Sequence, residues 1–211
     1  MPDTSALYEI DRYVFDRRTG RYHGPLPSYG MVANERIMSL IQERIEYHQV
    51  QMNTLTTALT DGRLTLAQWE RAFALQLKDL HLQEAALARG GWQNMTQADF
   101  GRVGRLLRDQ YGYLHNFAQD IATGEYPSTR ILWRAGLYAS SGREAYWRAA
   151  NATAQAGQMT MERRIAVGDK GTCHTCDHWA SEGWRPLGTL PAPGGSSCEG
   201  YSNCRCEKEY R

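Results

Sequence analysis

The chain has 211 residues, a formal net charge of +1 and 42% hydrophobic residues. That length fits one domain, or one domain with a small appendage, and suffices to bury a core. Near-neutral charge argues against a phosphate-backbone binder, no apolar run approaches bilayer length, and the charged opening residues lack the apolar stretch of a signal peptide, so a reducing cytoplasm and no membrane are expected.

Residues 1–33 are read as an extended N-terminal arm. Gly20, Gly24, Pro25, Pro27 and Gly30 interrupt any period, and Tyr8, Tyr13, Phe15, Tyr22 and Tyr29 are interleaved as aromatic anchors. Such an arm lies on its own domain, lies on a neighbour, or is a partly disordered terminus.

Residues 34–157 predict a helical domain. Asn34 is the expected N-cap of a first helix carrying Ile37, Ile41, Ile45, Met52, Leu55 and Leu59, ended by Asp61-Gly62. Thr65 and Gln68 form a capping box for a second, with Leu66, Trp69, Phe73, Leu77, Leu80 and Leu87 as its stripe and Gly90-Gly91 as its stop. Thr96 and Asp99 repeat the signal for a third, with Phe100, Val103, Leu107, Leu114, Phe117 and Ile121 on one face. A fourth is predicted from Ser128 to Gly157. Its small residues Ala135, Gly136, Ala139, Ser140, Ser141 and Gly142 suggest the central packing helix, either as intrachain core or as a subunit contact. The expected fold is mainly α: an antiparallel helical bundle or hairpin array.

Residues 158–211 predict a cysteine-rich, zinc-ribbon-like tail. Met161, Ile165 and Val167 suggest one strand, and Cys204, Cys206 and Tyr210 its partner, giving a small zinc-stabilised β-ribbon. All five cysteines lie here: Cys173 and Cys176 as C-x2-C, Cys198 alone, Cys204 and Cys206 as C-x-C. Two close pairs each supply two thiolates from one local turn, and an odd count in a reducing compartment favours metal over disulfides. Four of the five are expected to bind a structural zinc, with Cys173 and Cys176 the firmest ligands and Cys198 competing with the Cys204–Cys206 pair. Residues two apart on a strand share a face, which would aim Cys204 and Cys206 together. His174 and His178 are competing ligands, more naturally solvated. A closed thiolate set leaves no open position for catalysis.

Other constellations are weaker. No nucleophile-elbow, phosphate-loop, dinucleotide or metalloprotease motif occurs. Cys173 beside His174 or His178 is not a catalytic pair by adjacency alone. Glu43, Glu46 and His48, like Asp79, His81 and Glu84, read as solvated helix faces before they read as metal sites. Arg102, Arg105 and Arg108 share one side of the third helix, as ordinary surface charge or as a contact for DNA or an acidic protein ring. Residues 183–188, Gly-Trp-Arg-Pro-Leu-Gly, read as the crossing between the cysteine pairs. Seven basic residues from Gly157 to Arg211 meet seven acidic ones, so DNA binding by the tail is not supported by charge.

The tail carries a resemblance. C-x2-C, Trp184-Arg185-Pro186-Leu187-Gly188, Pro191-Ala192-Pro193-Gly194-Gly195 and Asn203-Cys204-Arg205-Cys206 together resemble the C-terminal signature of the phage minor head proteins, the Mu F-like head morphogenesis family. The match spans roughly Thr172 to Tyr210; the helical part agrees only in character and order. The resemblance implies a non-enzymatic virion protein of the head or head–tail junction, made in the bacterial host cytoplasm. Its implied partners are portal or capsid proteins and further copies of the chain in a homo-oligomeric ring. Alternatives are a DNA-binding zinc module on the packaged genome and a metal-dependent enzyme. The family often places a histidine shortly before its Asn-Cys-Arg-Cys element. Here Cys198 stands further upstream, and if it replaces that ligand either Cys204 or Cys206 leaves the coordination set.

Overall fold

The computed structural model describes residues 12–24, 30–124, 126–195, 197–200 and 204–211. The chain is mainly helical with small antiparallel sheets. Among the described residues no helix is long and apolar enough to cross a membrane.

Part of the predicted arm is a hairpin. Strands β1 (Val14–Asp16) and β2 (Arg21–His23) pair antiparallel, Phe15 opposite Tyr22. The Asp16 carboxylate closes the turn by accepting from the Arg18 amide and the Thr19 hydroxyl, both at 2.8 Å. Phe15 and Tyr22 meet edge to face at 4.8 Å, and Tyr22 is buried with its hydroxyl donating to the Leu87 carbonyl. These anchors therefore serve the chain's own core. Tyr8, Pro25, Pro27 and Tyr29 lie outside the described residues.

The helices are α1 (Asn34–Thr60), α2 (Leu66–Arg89), α3 (Gln97–Ala122), α4 (Ser128–Ala139) and α5 (Ser141–Ala156). Both capping boxes form: Thr65 with Gln68, and Thr96 with Asp99. Asn34 is not the cap of α1; Ala33 holds that place, without a side-chain bond. α2 ends on Gly90, at φ 82°, whose missing Cβ also makes room for the Phe15 ring. A side chain there would meet both the left-handed backbone and the aromatic face.

The fourth predicted helix is two. Ser140 separates α4 from α5, where the Ser140 and Ser141 hydroxyls donate to the Leu137 and Tyr138 carbonyls at 2.5 and 2.6 Å. Hydroxyls that engage carbonyls of the preceding turn bend helices. The bend lets α4 follow α1 while α5 lies along α2. The central helix is consequently α2, packed on α1, α3 and α5. The small residues act inside the chain: Ala135, Ala139 and Ala145 are buried, and a Cβ at Gly142 would stand 2.8 Å from the Leu80 side chain.

Trp69, Phe73 and Phe117 centre the core, with Trp69 5.1 Å from Phe73 and 5.5 Å from Phe117 between ring centroids. Phe100 departs from its predicted stripe and is 43% exposed. The polar helix faces depart further. His48, His81 and Glu84 are buried rather than solvated, because α1 and α2 are covered on several sides. His48 meets Gln76 and Gln83 at 3.0 and 3.3 Å, and His81 meets the Ser141 hydroxyl at 2.7 Å. Among the described residues neither Glu84 oxygen has a hydrogen-bond partner.

After α5 the chain builds a three-stranded sheet in the order β4-β3-β5, from β3 (Met161–Ile165), β4 (Arg185–Pro186) and β5 (Glu207–Tyr210). Its register sets Glu162 opposite Tyr210 and Arg164 opposite Lys208. Two expectations change. Arg185 and Pro186, read as part of a crossing loop, form a strand. Cys204 and Cys206, read as strand residues, precede β5. The inward face of this sheet is charged. Lys208 donates to Glu162 at 2.8 Å with both side chains at 0% exposure, and also to the Leu190 carbonyl at 2.7 Å. Glu162 accepts from the Leu190 amide at 2.7 Å, while the Tyr210 hydroxyl donates to Asn151 of α5 at 2.7 Å. Outside, Arg163 and Arg211 cover the Trp184 ring at 4.9 and 4.3 Å.

Two outcomes follow for stability. Burial pushes the Glu84 carboxyl up to about 8, against the pull of Arg44 and Arg143. A folded-state value above the ordinary one means its stabilising contribution is complete at acid pH and is lost as pH rises toward 8. Glu84→Gln should therefore gain on the wild type by about 3–4 kcal/mol between pH 5 and pH 8. The difference between the two proteins in urea unfolding is the quantity to measure, because buried, neutral His48 and His81 act in the opposite direction. Lys208→Ala leaves Glu162 buried without its cation and should cost about 3–5 kcal/mol in the same assay.

Candidate metal centre

The centre is assembled from three segments. The first begins at the turn before α6 (His174–Ser181), where the Thr172 hydroxyl accepts from the Gly168 amide at 3.0 Å and from the Asp169 amide at 3.2 Å. Cys173 occupies the N-cap, its carbonyl accepting from the Cys176 and Asp177 amides at 3.0 and 3.1 Å. One helical turn thereby carries Cys176 to the interior. The second segment is the turn after the proline-glycine stretch, where the Cys198 amide donates to the Gly195 carbonyl at 2.9 Å. The third is the Cys-Arg-Cys run before β5. Between its two buried cysteines, Arg205 projects outward and grips both Asp169 oxygens at 2.8 Å. The third segment is thus latched to the loop preceding the first.

The sulfurs converge. Cys176 Sγ stands 3.7 Å from Cys198 Sγ and 3.9 Å from Cys204 Sγ, and Cys173 Sγ stands 3.9 Å from Cys198 Sγ. Two trios each lie within 4.8 Å mutually, Cys173 with Cys176 and Cys198, and Cys176 with Cys204 and Cys206. Cys176 belongs to both. The thiols are free. A disulfide would require about 2.05 Å between sulfurs. A tetrahedral thiolate site with metal–sulfur bonds of about 2.3 Å has edges of about 3.8 Å. The observed separations fit the metal edge, and this cluster can hold a metal ion.

Charge around the cluster suits thiolates. Buried Arg164, from β3, directs a guanidinium nitrogen to within 4.0 Å of Cys176 Sγ and donates a second to the Pro191 carbonyl. Hydrogen bonding from Cys176 holds Cys204 and Cys206 below the ordinary thiol range, and the charge of Arg164 adds to the effect at Cys206. The same proton sharing, first with Cys198, pushes Cys176 up. Arg143 of α5 is buried on the other side, donating to Gln42 at 2.8 Å and feeling the charges of Cys204 and Cys206. Its burial weakens its hold on its own proton, and the two sulfurs restore part of it.

The structure thus gathers all five predicted cysteines. It does not bring in His174, which is exposed, or His178, which faces Glu182 at 3.7 Å near the surface. Arg102 is taken by Asp99 at 2.5 Å, and Arg105 and Arg108 face solvent. Asn203 lies outside the described residues. The arginines at the cluster were missed by sequence reasoning. For Arg164 the sequence pointed the other way: alternation along β3 would turn apolar Met161 and Ile165 inward, whereas the structure buries Glu162 and Arg164.

Comparison of the chain with family models, with curated proteins and with solved structures returns no match.

Because both trios share Cys176, Cys176→Ser should abolish tight metal binding, whereas Arg164→Leu should weaken it by about 10- to 100-fold through loss of its support. Competition with a chromophoric chelator reads both values. Far-UV circular dichroism should show the helices retained, with limited proteolysis confined to the tail.

Proposed function

We propose that this chain is a non-enzymatic structural protein of a phage head, docking on the portal or inner capsid through a fold whose tail is clipped by one zinc ion. The convergence of cysteine sulfurs from three tail segments carries the reading. Soft thiolates at tetrahedral spacing suit zinc, which has no redox chemistry of its own and persists in a reducing cytoplasm. Four sulfurs fill its coordination sphere, so no position remains for a reacting water. The ion then contributes folding free energy to a segment too small to fold alone. The Asn203-Cys204-Arg205-Cys206 run and the preceding tryptophan and proline elements supply the resemblance to head morphogenesis proteins. The balanced charge of the tail speaks for protein rather than DNA as its partner.

Two measurements test this. Elemental analysis of the purified chain should find one zinc per molecule. Mass spectrometry of density-banded phage particles from the bacterium that carries the gene should find the chain with the portal and capsid proteins. Particles that lack it would remove the virion assignment, whatever the metal content.

A further inference from the structure

A tetrahedral site needs four sulfurs, and this centre gathers five. They are not equivalent. Cys176, Cys198, Cys204 and Cys206 are buried, with exposures between 1% and 4%, whereas Cys173 is only half-buried. The buried sulfurs equal the number of ligands a closed site requires. Cys173 stands in the trio with Cys176 and Cys198, and its sulfur lies 3.9 Å from that of Cys198.

Resting on the zinc reading above, we propose that Cys173 is the uncoordinated thiol and a modification site for hydroperoxides, and that its oxidation opens the metal centre through a disulfide with Cys198. The geometry supplies both halves of the step. Solvent reaches Cys173, and the sulfur that must resolve its oxidised form is already in contact. The pair must close from 3.9 Å to about 2.05 Å. The Cys173 backbone is fixed by two amide contacts at the start of α6, so side-chain rotation and movement of the turn that carries Cys198 provide the approach.

The chemistry balances. The Cys173 thiol attacks one oxygen of hydrogen peroxide; the O–O bond breaks, an S–O bond forms, and one water leaves. Sulfur has been oxidised by two electrons to sulfenic acid. The Cys198 thiolate then leaves the metal and attacks the sulfenic sulfur. An S–S bond forms, the S–O bond breaks, and hydroxide leaves and takes up a proton as a second water. The ion retains three sulfurs and is released. Among the described residues the small core around this centre consists of cysteines with Ala166 as the one further packed hydrophobic, so the tail loosens where it was held. The buried Lys208–Glu162 pair and the Asn151 contact lie outside the exchanging sulfurs and keep the sheet on α5. A dithiol reductant reverses the step and restores the site for zinc.

The test uses the full-length protein purified with its zinc under reducing conditions, then freed of reductant. Native alkylation with iodoacetamide followed by peptide mass spectrometry should label Cys173 first. Stoichiometric hydrogen peroxide should release one zinc per chain, read with a chromogenic zinc indicator, and peptide mapping should find the Cys173–Cys198 disulfide. Cys173→Ser should retain its zinc and release it to peroxide about tenfold more slowly or less. Loss of zinc from unoxidised Cys173→Ser would overturn the proposal by making Cys173 a ligand, and so would peroxide release as fast as in the wild type. Cys173→Ala, measured in parallel, separates a ligand role from a poorly tolerated hydroxyl: it too should keep its zinc, and its failure to do so overturns the proposal. A wild-type protein that binds no zinc when refolded with it would instead defeat the zinc reading itself, and this inference with it.

Discussion

Electrostatic repulsion among crowded sulfurs is the constraint on which the tail depends. The small second core of the molecule is made almost wholly of cysteine, four buried thiols with Cys173 and Ala166 packed against them. As neutral thiols they behave as small hydrophobes. As thiolates less than 4 Å apart they repel, and a shared cation turns that repulsion into attraction. The arginines complete the arrangement. Arg164 reaches Cys176 from the sheet, and the charge of Arg143 on α5 acts on Cys204 and Cys206, so positive charge from two separate elements faces the sulfurs.

The second attachment of the tail is of a different kind. The sheet turns charged rather than apolar residues toward α5, and the Lys208–Glu162 pair is completed by both backbone groups of Leu190. Such a pair contributes little net stability over a well-packed apolar substitute, because desolvation offsets most of the attraction. Its geometry is nevertheless demanding. A slip of β5 by one residue would place Lys208 on the outer face and strand Glu162 inside, so the pair fixes strand register. Sulfur holds the tail closed, and the ion pair determines how it is aligned.

Much of the fold could be read from residue pattern because its signals are local. Thr65 with Gln68 and Thr96 with Asp99 satisfy amides within one turn, and each marks the start of its helix. The break at Ser140 was not readable, since serines and a glycine among alanines also fit a small-residue packing face. What separates the two cases is whether the hydroxyls turn back to the preceding turn, which packing decides. His48, His81 and Glu84 were hidden for a related reason. Their spacing reports a polar face, but the enclosure of α2 by three other helices is tertiary information. At the candidate centre the cysteine spacings located the clustered thiols, whereas the arginines near them arrive from distant segments and carry no motif. Cys204 and Cys206 were assigned to a strand because alternate residues share a face there; they come together instead in the irregular run that leads into it.

The sheet joins residues far apart in the chain, Arg163 and Glu209 being separated by 46 positions, whereas successive helices meet through short connections. Closing a long loop carries an entropic cost that nearby contacts avoid, so contacts between successive helices precede both the α2–α5 packing, which joins Ala88 to Thr153 across 65 positions, and the β3–β5 pairing. During that interval the nascent protein presents local helices beside five unhoused thiols. A metal ion taken up by the cluster would compete with mispairing on the same clock, and the yield of correctly closed molecules would then depend on its supply during synthesis as well as on the sequence itself.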